Sequence, residues 1–135
     1  MKNNASKLVG RAAEALEHAH APYSGFRVGA AILARDGRVF TGCNVENASY
    51  GLTICAERAA VFKAVSEGAT SFEALALVCD GPGPVTPCGA CLQVLREFCA
   101  DLPVVYSTLA GPPRRTSLKK LLPSPFLARD MRRKR

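Results

Sequence analysis

Two short segments of this chain carry side chains that could bind a metal ion and move protons. Glu57 stands two positions after Cys55, and Cys88 and Cys91 stand three residues apart further along the chain. Three thiolates can hold a zinc ion and leave its fourth position for water, an arrangement typical of catalytic sites. Glu57 is not needed as a ligand and could carry protons between that water and a substrate. The pattern therefore predicts a catalytic zinc site.

A structural zinc ion is the alternative interpretation of these cysteines. Structural sites such as zinc ribbons usually have four ligands. A fourth thiolate would have to come from cysteines that are not paired at ligand spacing and that fall in apolar stretches, where a free thiol behaves as a small core residue: Cys43, Cys79 and Cys99. His18 and His20, in or beside the first predicted helix, are interpreted as surface or capping residues. The catalytic interpretation is favoured.

The thiols are expected at the starts of two helices. Helical spacing predicts one helix from near Cys55 to Gly68 and another over residues 89–99. The free N–H groups and the positive dipole end of a helix N-terminus favour anions, so both positions lower the cost of forming a thiolate. Pro87 precedes the second helix, where its missing N–H costs nothing.

Arg58, immediately after Glu57, is a candidate for withdrawing charge from the site. Three thiolates leave a zinc ion with a net negative charge, which is poorly suited to making bound water acidic. The guanidinium could donate hydrogen bonds to the sulfurs. The alternative is an exposed helical arginine.

The rest of the pattern predicts a mixed sheet covered by helices, an α/β fold. A helix is predicted over residues 6–20. A hairpin is predicted around Asp36-Gly37, with strands over 28–33 and 39–45. Further elements are predicted in this order: a strand at 72–79, the helix at 89–99, a strand at 104–108, a short strand around residue 115 and a helical turn at 117–122.

Composition and charge restrict the functional class. The chain has 135 residues, 48% hydrophobic and 21% charged, which is typical of one globular domain. Its net charge of +7 arises from residues 111–135, which hold nine of the 18 basic residues and one acidic residue. No aromatic side chain stands among the charges of residues 132–135 to stack bases, so a solvated end is favoured over nucleic-acid binding.

The domain is predicted to span residues 1–127, followed by a basic, disordered C-terminal tail at 128–135. No apolar run approaches the roughly 20 residues of a membrane helix. The first residues lack the apolar centre of a signal peptide, so the expected compartment is the cytoplasm.

Three segments closely resemble the small, homotetrameric, zinc-dependent cytidine deaminases: residues 22–31, residues 40–58, and residues 86–91 with Gln93-Val94. The resemblance covers about residues 5–127. It implies a three-layer α-β-α fold with a mixed five-stranded sheet and one Zn²⁺ per subunit. It also implies hydrolytic deamination of cytidine and 2′-deoxycytidine in pyrimidine salvage, with a nucleoside as the partner and no membrane.

The resemblance also implies a role for each matching residue. Zinc ligands are Cys55, Cys88 and Cys91, and Glu57 is the proton shuttle. The ribose 3′-hydroxyl is held by Asn44 and Glu46. The nucleoside packs against Phe26. The polar edge of the pyrimidine is read by the backbone of Ala56 and by a carbonyl near Thr86.

Three further residues are implied to complete a neighbouring subunit's site. Ala48 and Tyr50 resemble residues on the 5′-hydroxyl side, and Phe126 resembles an aromatic that stacks on the base across the interface. From the residues alone, Phe126 could equally belong to the core, as could Phe26, and Asn44 could be a turn residue. Glu46 is harder to explain without a partner, because an unpaired buried carboxylate is costly.

Two positions depart from the family pattern. Leu92 stands where many relatives have arginine, which removes one surface or interface salt bridge. The proline-interrupted, basic segment 111–117 occupies the place of the last strand, so the length of that strand is open. Neither position belongs to the predicted catalytic residues.

Three other functions remain open at this point. A deaminase of another aminopyrimidine nucleoside, such as a nucleoside antibiotic, is disfavoured by Asn44 and Glu46, which argue for a ribose. A polynucleotide deaminase would use the basic tail and would need an open groove, whereas Tyr50 and Phe126 suggest a sealed pocket. A non-enzymatic zinc scaffold would bind zinc without turnover.

Overall fold

The computed structural model describes residues 2–132. The elements follow in the order α1 (Lys2–Leu16), β1 (Val28–Ala34), β2 (Val39–Cys43), a 3₁₀ turn (Tyr50–Leu52), α2 (Ala56–Ser66), β3 (Phe72–Cys79), α3 (Gly89–Phe98), β4 (Pro103–Thr108), β5 (Arg114–Ser117), α4 (Leu118–Leu121) and a second 3₁₀ turn (Ala128–Met131).

The five strands form one mixed sheet in the order β2-β1-β3-β4-β5. β3 and β4 are parallel, and the other neighbours are antiparallel. The β1–β2 hairpin turns at Gly37, whose positive φ of 94° suits a glycine. The predicted mixed five-stranded sheet is confirmed.

The sheet is buried on both faces, which makes three layers. On one face, α1 contributes Leu8, Ala12 and Leu16 to a buried cluster with side chains of β1, β3 and β4. On the other face, α2 and α3 contribute Val61 and Leu95 to the larger cluster. Burial of these apolar side chains, at about 25 cal/mol per Å² of apolar surface, favours this layered arrangement.

A close contact at Gly42 fixes α2 against β2. An ideal Cβ at this position would lie 2.5 Å from the backbone nitrogen of Ala60 and 2.6 Å from the carbonyl oxygen of Ala56. The backbone of the helix therefore lies directly on the strand, which leaves no room for a side chain there. This contact places the N-terminus of α2, with Cys55, above the end of the hairpin.

The bounds of α1 differ from the prediction of residues 6–20. The helix begins at Lys2 and ends at Leu16, after which His18 bonds to a carbonyl three residues back. The N–H of His20 then donates to the carbonyl of Asn44, and His20 forms an isolated bridge with Val45. This long-range pairing ends the helix. Both histidines are exposed, as expected.

The short edge strand β5 begins directly after Pro112 and Pro113, in the segment 111–117 that differs from the family pattern. Its four residues pair antiparallel with β4, with Arg114 opposite Tyr106. Proline lacks the N–H that a ladder needs, so pairing begins only after Pro113. β2 is shorter than the predicted 39–45, since Val45 leaves the hairpin to bridge His20 and Ile54.

The C-terminal segment contains one 3₁₀ turn, Ala128–Met131, at whose start the N–H of Leu127 donates to Asp130 Oδ2 at 2.8 Å. The predicted disordered tail covers this turn, and its residues 133–135 lie outside the described residues. Within residues 2–132, none of the helices has the length and apolar character needed to cross a membrane.

Candidate metal centre

The three predicted thiol ligands come together in space. The sulfur of Cys55 lies 3.8 Å from that of Cys88, and the sulfur of Cys88 lies 3.6 Å from that of Cys91. All three sulfurs lie within 4.8 Å of one another. Two helices 33 residues apart in sequence therefore deliver one cluster of thiols.

The spacing of the sulfurs matches a zinc site. Sulfurs that lie about 2.3 Å from a tetrahedrally bound zinc ion lie about 3.8 Å from one another. The observed separations of 3.8 and 3.6 Å agree with that value. Three thiolates are also soft ligands, which zinc accepts readily. The residues present therefore fit a zinc ion.

Two of the three thiols stand at helix N-termini, whose free N–H groups favour anions. Cys55 is the N-cap of α2 and Cys88 is the N-cap of α3, and neither side chain is engaged in a capping hydrogen bond. Hydrogen bonds from Cys91, and then from Arg58 and Cys88, lower the pKa of Cys55 to about 5 against the opposing effect of burial. The hydrogen bond to Cys55 and burial raise the pKa of Cys91 above its ordinary value.

Glu57 lies in the first turn of α2, between Cys55 and Arg58 in sequence, and is 5% exposed. Burial is the main cause that raises its pKa to about 7, and the negative charge of Cys55 adds to the effect. A carboxyl group with a pKa near neutrality can both take and give a proton at that pH. The side chain is therefore suited to acid–base chemistry beside the thiols.

Arg58 contacts the cluster directly. Its Nη2 lies 3.4 Å from the sulfur of Cys55, and this hydrogen bond is the main cause that raises the pKa of the guanidinium. Its Nε is buried and has no hydrogen-bond partner among the described residues. The residue is half-buried, which disfavours the alternative of an exposed helical arginine.

Asn44 is buried and joins two parts of the chain through its side-chain amide. Oδ1 accepts a hydrogen bond from the N–H of Val28 at 2.9 Å, and Nδ2 donates to the carbonyl of Phe26 at 2.8 Å. The orientation of the amide follows from these two partners. Asn44 therefore holds the start of β1, which is a larger structural role than that of a turn residue.

Glu46 receives three hydrogen bonds from one loop. Oε1 accepts from the N–H of Tyr23 at 3.0 Å and from the N–H of Ser24 at 3.1 Å, and Oε2 accepts from the hydroxyl of Ser24. The hydroxyl of Ser24 is the main cause that lowers the pKa of Glu46 below its ordinary value. The carboxylate is therefore charged at neutral pH and can only accept hydrogen bonds.

Phe26 is half-buried beside the loop that follows β3. An ideal Cβ at Gly81 would lie 2.5 Å from Cε1 of the Phe26 ring, so the ring lies directly on this glycine. The neighbouring Arg27 bonds to Asp80 twice, through its backbone N–H and through Nε, each at 2.9 Å. These contacts join the start of β1 to the end of β3 beside the ring.

The remaining predicted site residues differ in exposure. Ala56 is buried at the start of α2, while Thr86 and Ala48 are exposed. Tyr50 is 71% exposed and its ring packs edge-on against Tyr23 with centroids 5.9 Å apart. Phe126 is 58% exposed, which excludes the core interpretation for its side chain within a single chain.

Two residues with contacts to the site were not assigned a role from the sequence. Ser24 bonds to Glu46. Gln93 holds the backbone of Phe126: Nε2 of Gln93 donates to the carbonyl of Phe126 at 2.6 Å, and Oε1 of Gln93 accepts from the N–H of Phe126 at 3.2 Å. Both residues stand in segments that carry the family resemblance. The sequence signal was present, but their partners lie 22 and 33 residues away.

A separate groove of about 640 Å³ lies at the opposite end of the sheet. It is lined by Leu8 of α1 and by residues from the first halves of β3 and β4, together with Arg115 of β5. None of the three thiols borders it. The metal centre is partly exposed at the starts of α2 and α3, since Cys88 is exposed, Cys55 is half-buried and Cys91 is buried.

Comparison with known proteins agrees with this geometry. Residues 2–108 match the model of the cytidine and deoxycytidylate deaminase zinc-binding region. A cytidine deaminase from Sporosarcina psychrophila is 52% identical over 126 residues, which cover 93% of each chain. One from Mycobacterium tuberculosis is 50% identical over 129 residues, covering 95% of this chain and 93% of that protein.

Solved structures show the same architecture. The crystal structure of cytidine deaminase from Burkholderia pseudomallei matches with a TM-score of 0.85 at 50% sequence identity, covering 90% of this chain and 98% of that chain. The cytidine deaminase structure from Mycobacterium tuberculosis matches with a TM-score of 0.77 at 48% identity and covers 90% and 95% of the two chains.

Proposed function

Since this chain belongs to the cytidine and deoxycytidylate deaminase family, we propose that it hydrolyses cytidine and 2′-deoxycytidine to uridine and 2′-deoxyuridine, with release of ammonia. This is a step of pyrimidine salvage. The observation that carries the proposal is the cluster of Cys55, Cys88 and Cys91 with the buried Glu57 beside it. Three ligands and one free acid–base group match hydrolysis at a carbon that bears an amine.

Cys55, Cys88 and Cys91 would hold the zinc ion as thiolates. A zinc ion bound there would act as a Lewis acid and lower the pKa of water at the site. Arg58 donates a hydrogen bond to Cys55 and draws negative charge away from the sulfurs. The helix N-termini under Cys55 and Cys88 act in the same direction.

Glu57 moves the protons of the reaction. Its carboxylate accepts a proton from the attacking water and donates it to N3 of the cytosine ring, which makes C4 electrophilic. It then carries the second proton of that water to the exocyclic amine, which leaves as ammonia. The pKa of about 7, raised mainly by burial, lets the carboxyl group take and release protons at neutral pH.

Asn44 and Glu46 bind the 3′-hydroxyl of the sugar. A carboxylate offers about four acceptor sites, and Glu46 uses three of them within the described residues. Asn44 uses one of its two amide hydrogens for the carbonyl of Phe26. One acceptor and one donor remain, which complements a hydroxyl group that both donates and accepts.

The base is held by Phe26, by the backbone N–H of Ala56 and by a carbonyl near Thr86. Backbone groups at the start of a helix are suited to a polar ring edge, because they have no partner within the helix. Phe26 adds an apolar contact to the nucleoside. Its ring already lies against Gly81, so it presents a fixed surface.

Neighbouring subunits complete the site in a homotetramer. Tyr50 and Phe126 are more than half exposed in the single chain, so both rings are available for contact with a neighbouring subunit. Ala48 and Tyr50 reach the 5′-hydroxyl side of a neighbour's site, and Phe126 stacks on its base. The enzyme acts in the cytoplasm. Light scattering of the zinc-loaded protein would give four times the chain mass.

Ultraviolet spectroscopy tests the proposed reaction. Zinc-replete protein mixed with cytidine, and separately with 2′-deoxycytidine, is expected to lose the cytosine absorbance with one ammonia released per nucleoside. Single-stranded DNA that contains cytosine is expected to remain unchanged. Turnover of the DNA without turnover of the free nucleosides would contradict the proposal and would favour a polynucleotide deaminase.

A further inference from the structure

Ser24 connects two residues on the sugar side of the proposed site. Its hydroxyl donates to Oε2 of Glu46 and accepts a hydrogen bond from the N–H of Phe26 at 3.0 Å. Its own N–H donates to Oε1 of Glu46 at 3.1 Å. One exposed serine therefore links the carboxylate of Glu46, proposed above to bind the sugar, to the backbone of Phe26.

The loop that carries Ser24 is held in place by other contacts. His20 donates from its N–H to the carbonyl of Asn44 at 3.0 Å and accepts from the N–H of Glu46 at 2.8 Å. The turn closes through the N–H of Gly25 and the carbonyl of Ala21 at 2.9 Å. These bonds hold the loop without the side chain of Ser24, whose hydroxyl adds the contacts to Glu46 and to the N–H of Phe26.

The hydroxyl has a specific effect on Glu46. Oε1 is held by two backbone N–H groups, from Tyr23 and Ser24, whereas the one partner of Oε2 among the described residues is the Ser24 hydroxyl. Without it, the carboxylate could rotate about its two backbone contacts. With it, both oxygens are fixed, and the remaining acceptor position on Oε2 has one direction.

We propose that Ser24 is a positioning residue that sets the selectivity of this enzyme for nucleosides with a 3′-hydroxyl, by fixing Oε2 of Glu46 toward that hydroxyl. This inference rests on the proposed function. It adds to it a residue that does not itself touch the substrate. The same hydroxyl fixes the backbone of Phe26, so the sugar contact and the aromatic contact are set by one side chain.

A comparison of two substrates tests this role. Cytidine and 3′-deoxycytidine differ only in the hydroxyl that Glu46 is proposed to bind, and the ratio of their kcat/KM values measures its contribution. In Ser24→Ala this ratio is expected to fall by about tenfold relative to the wild type, because a hydrogen bond to a charged group is lost. The kcat/KM for 2′-deoxycytidine, which keeps the 3′-hydroxyl, is expected to fall together with that for cytidine.

Two variants serve as controls. Ser24→Thr keeps the hydroxyl and is expected to restore the ratio, and the exposed position leaves space for the added methyl group. Ser66→Ala removes a hydroxyl that bonds only to the local carbonyl of Lys63, and its ratio is expected to equal that of the wild type. The zinc content of Ser24→Ala is expected to match the wild type, since the hydroxyl bonds to Glu46 and to the N–H of Phe26 and to none of the three thiols.

The outcomes separate this inference from the proposed function. If the wild type does not deaminate cytidine, the proposed function fails. If it does, and the ratio of kcat/KM for cytidine to that for 3′-deoxycytidine is the same in Ser24→Ala as in the wild type, the proposed positioning role of Ser24 is wrong. In a double-mutant cycle, Ser24→Ala and Glu46→Gln are expected to be non-additive on this ratio, and additive effects would also overturn the inference.

Discussion

The Nη2 atom of Arg58 lies 3.4 Å from the sulfur of Cys55. Cys55 is the N-cap of α2, and Arg58 follows it by three residues, in the first turn of the helix. The contact pairs the positive end of a guanidinium with a thiol whose pKa is about 5, lowered first by its hydrogen bond with Cys91 and then by Arg58 and Cys88. Charge on the sulfurs is therefore shared with Arg58, which links this side chain to the metal centre without making it a ligand.

Replacing Arg58 by glutamine is expected to lower zinc affinity or kcat/KM by about 10–100-fold, the usual effect of removing a group that hydrogen-bonds a metal ligand. Competition with a chromogenic chelator gives the affinity, and cytidine turnover gives the activity. The matched control is Arg11→Gln, on the exposed side of α1. Unchanged affinity and activity in Arg58→Gln would show that the contact has no function.

Replacing Glu57 by glutamine is expected to preserve zinc binding and to lower kcat by about 10²–10⁴-fold, which is the usual contribution of a general acid–base group. Glutamine keeps the size of the side chain but cannot carry a proton. Zinc content is measured on the same sample as turnover. Glu73→Gln, at an exposed position of β3, is the control. A zinc-loaded Glu57→Gln variant with wild-type kcat would refute the assigned role.

Replacing Cys88 by alanine is expected to abolish stoichiometric zinc binding. Two thiols remain, and a structural or catalytic zinc ion needs at least three protein ligands. The wild type is expected to lose thermal stability when a chelator removes zinc, because the metal stabilises the folded state that binds it. The variant is expected to be insensitive to the chelator. Cys43→Ala is the control, since Cys43 lies outside the cluster. Full zinc occupancy in Cys88→Ala would contradict the ligand assignment.

Replacing Gln93 by alanine is expected to raise KM for cytidine with a smaller change in kcat. Gln93 holds the backbone of Phe126 by two hydrogen bonds of 2.6 and 3.2 Å, and Phe126 is proposed to stack on the base in a neighbouring subunit. Phe126→Ala is expected to raise KM further. The double variant should then resemble Phe126→Ala alone, and an additive effect would mean that Gln93 acts elsewhere.

The residues that could do chemistry are easier to predict from the sequence than the residues and contacts that hold them in position. Cys55, Glu57, Cys88 and Cys91 are identified because their types and spacing match the signature of zinc-dependent nucleobase deaminases, which a local pattern can carry. The sequence predicts strand β3 with its observed bounds, because a short, mostly apolar run of eight residues bounded by turn residues favours a strand over a helix. The proximity of the two helix starts came from the family resemblance, because no local rule joins residues 33 positions apart.

The sequence does not predict the features that depend on tertiary contacts. The end of α1 is set by the pairing of His20 with Val45, which the helical periodicity of residues 6–20 does not contain. The contacts of Ser24 and Gln93 likewise join segments that are distant in sequence. Side chains that do chemistry therefore leave a clearer local pattern in the sequence than side chains that hold them in position.

Isotope labelling tests the central claim most directly. Zinc-replete enzyme is incubated with cytidine in water enriched in ¹⁸O, and the nucleoside product is analysed by mass spectrometry together with the ammonia released. Hydrolysis by the thiol cluster and Glu57 predicts uridine with the heavy oxygen at C4 and one ammonia for each uridine formed. Unchanged cytidine, or product without the heavy oxygen, would contradict it.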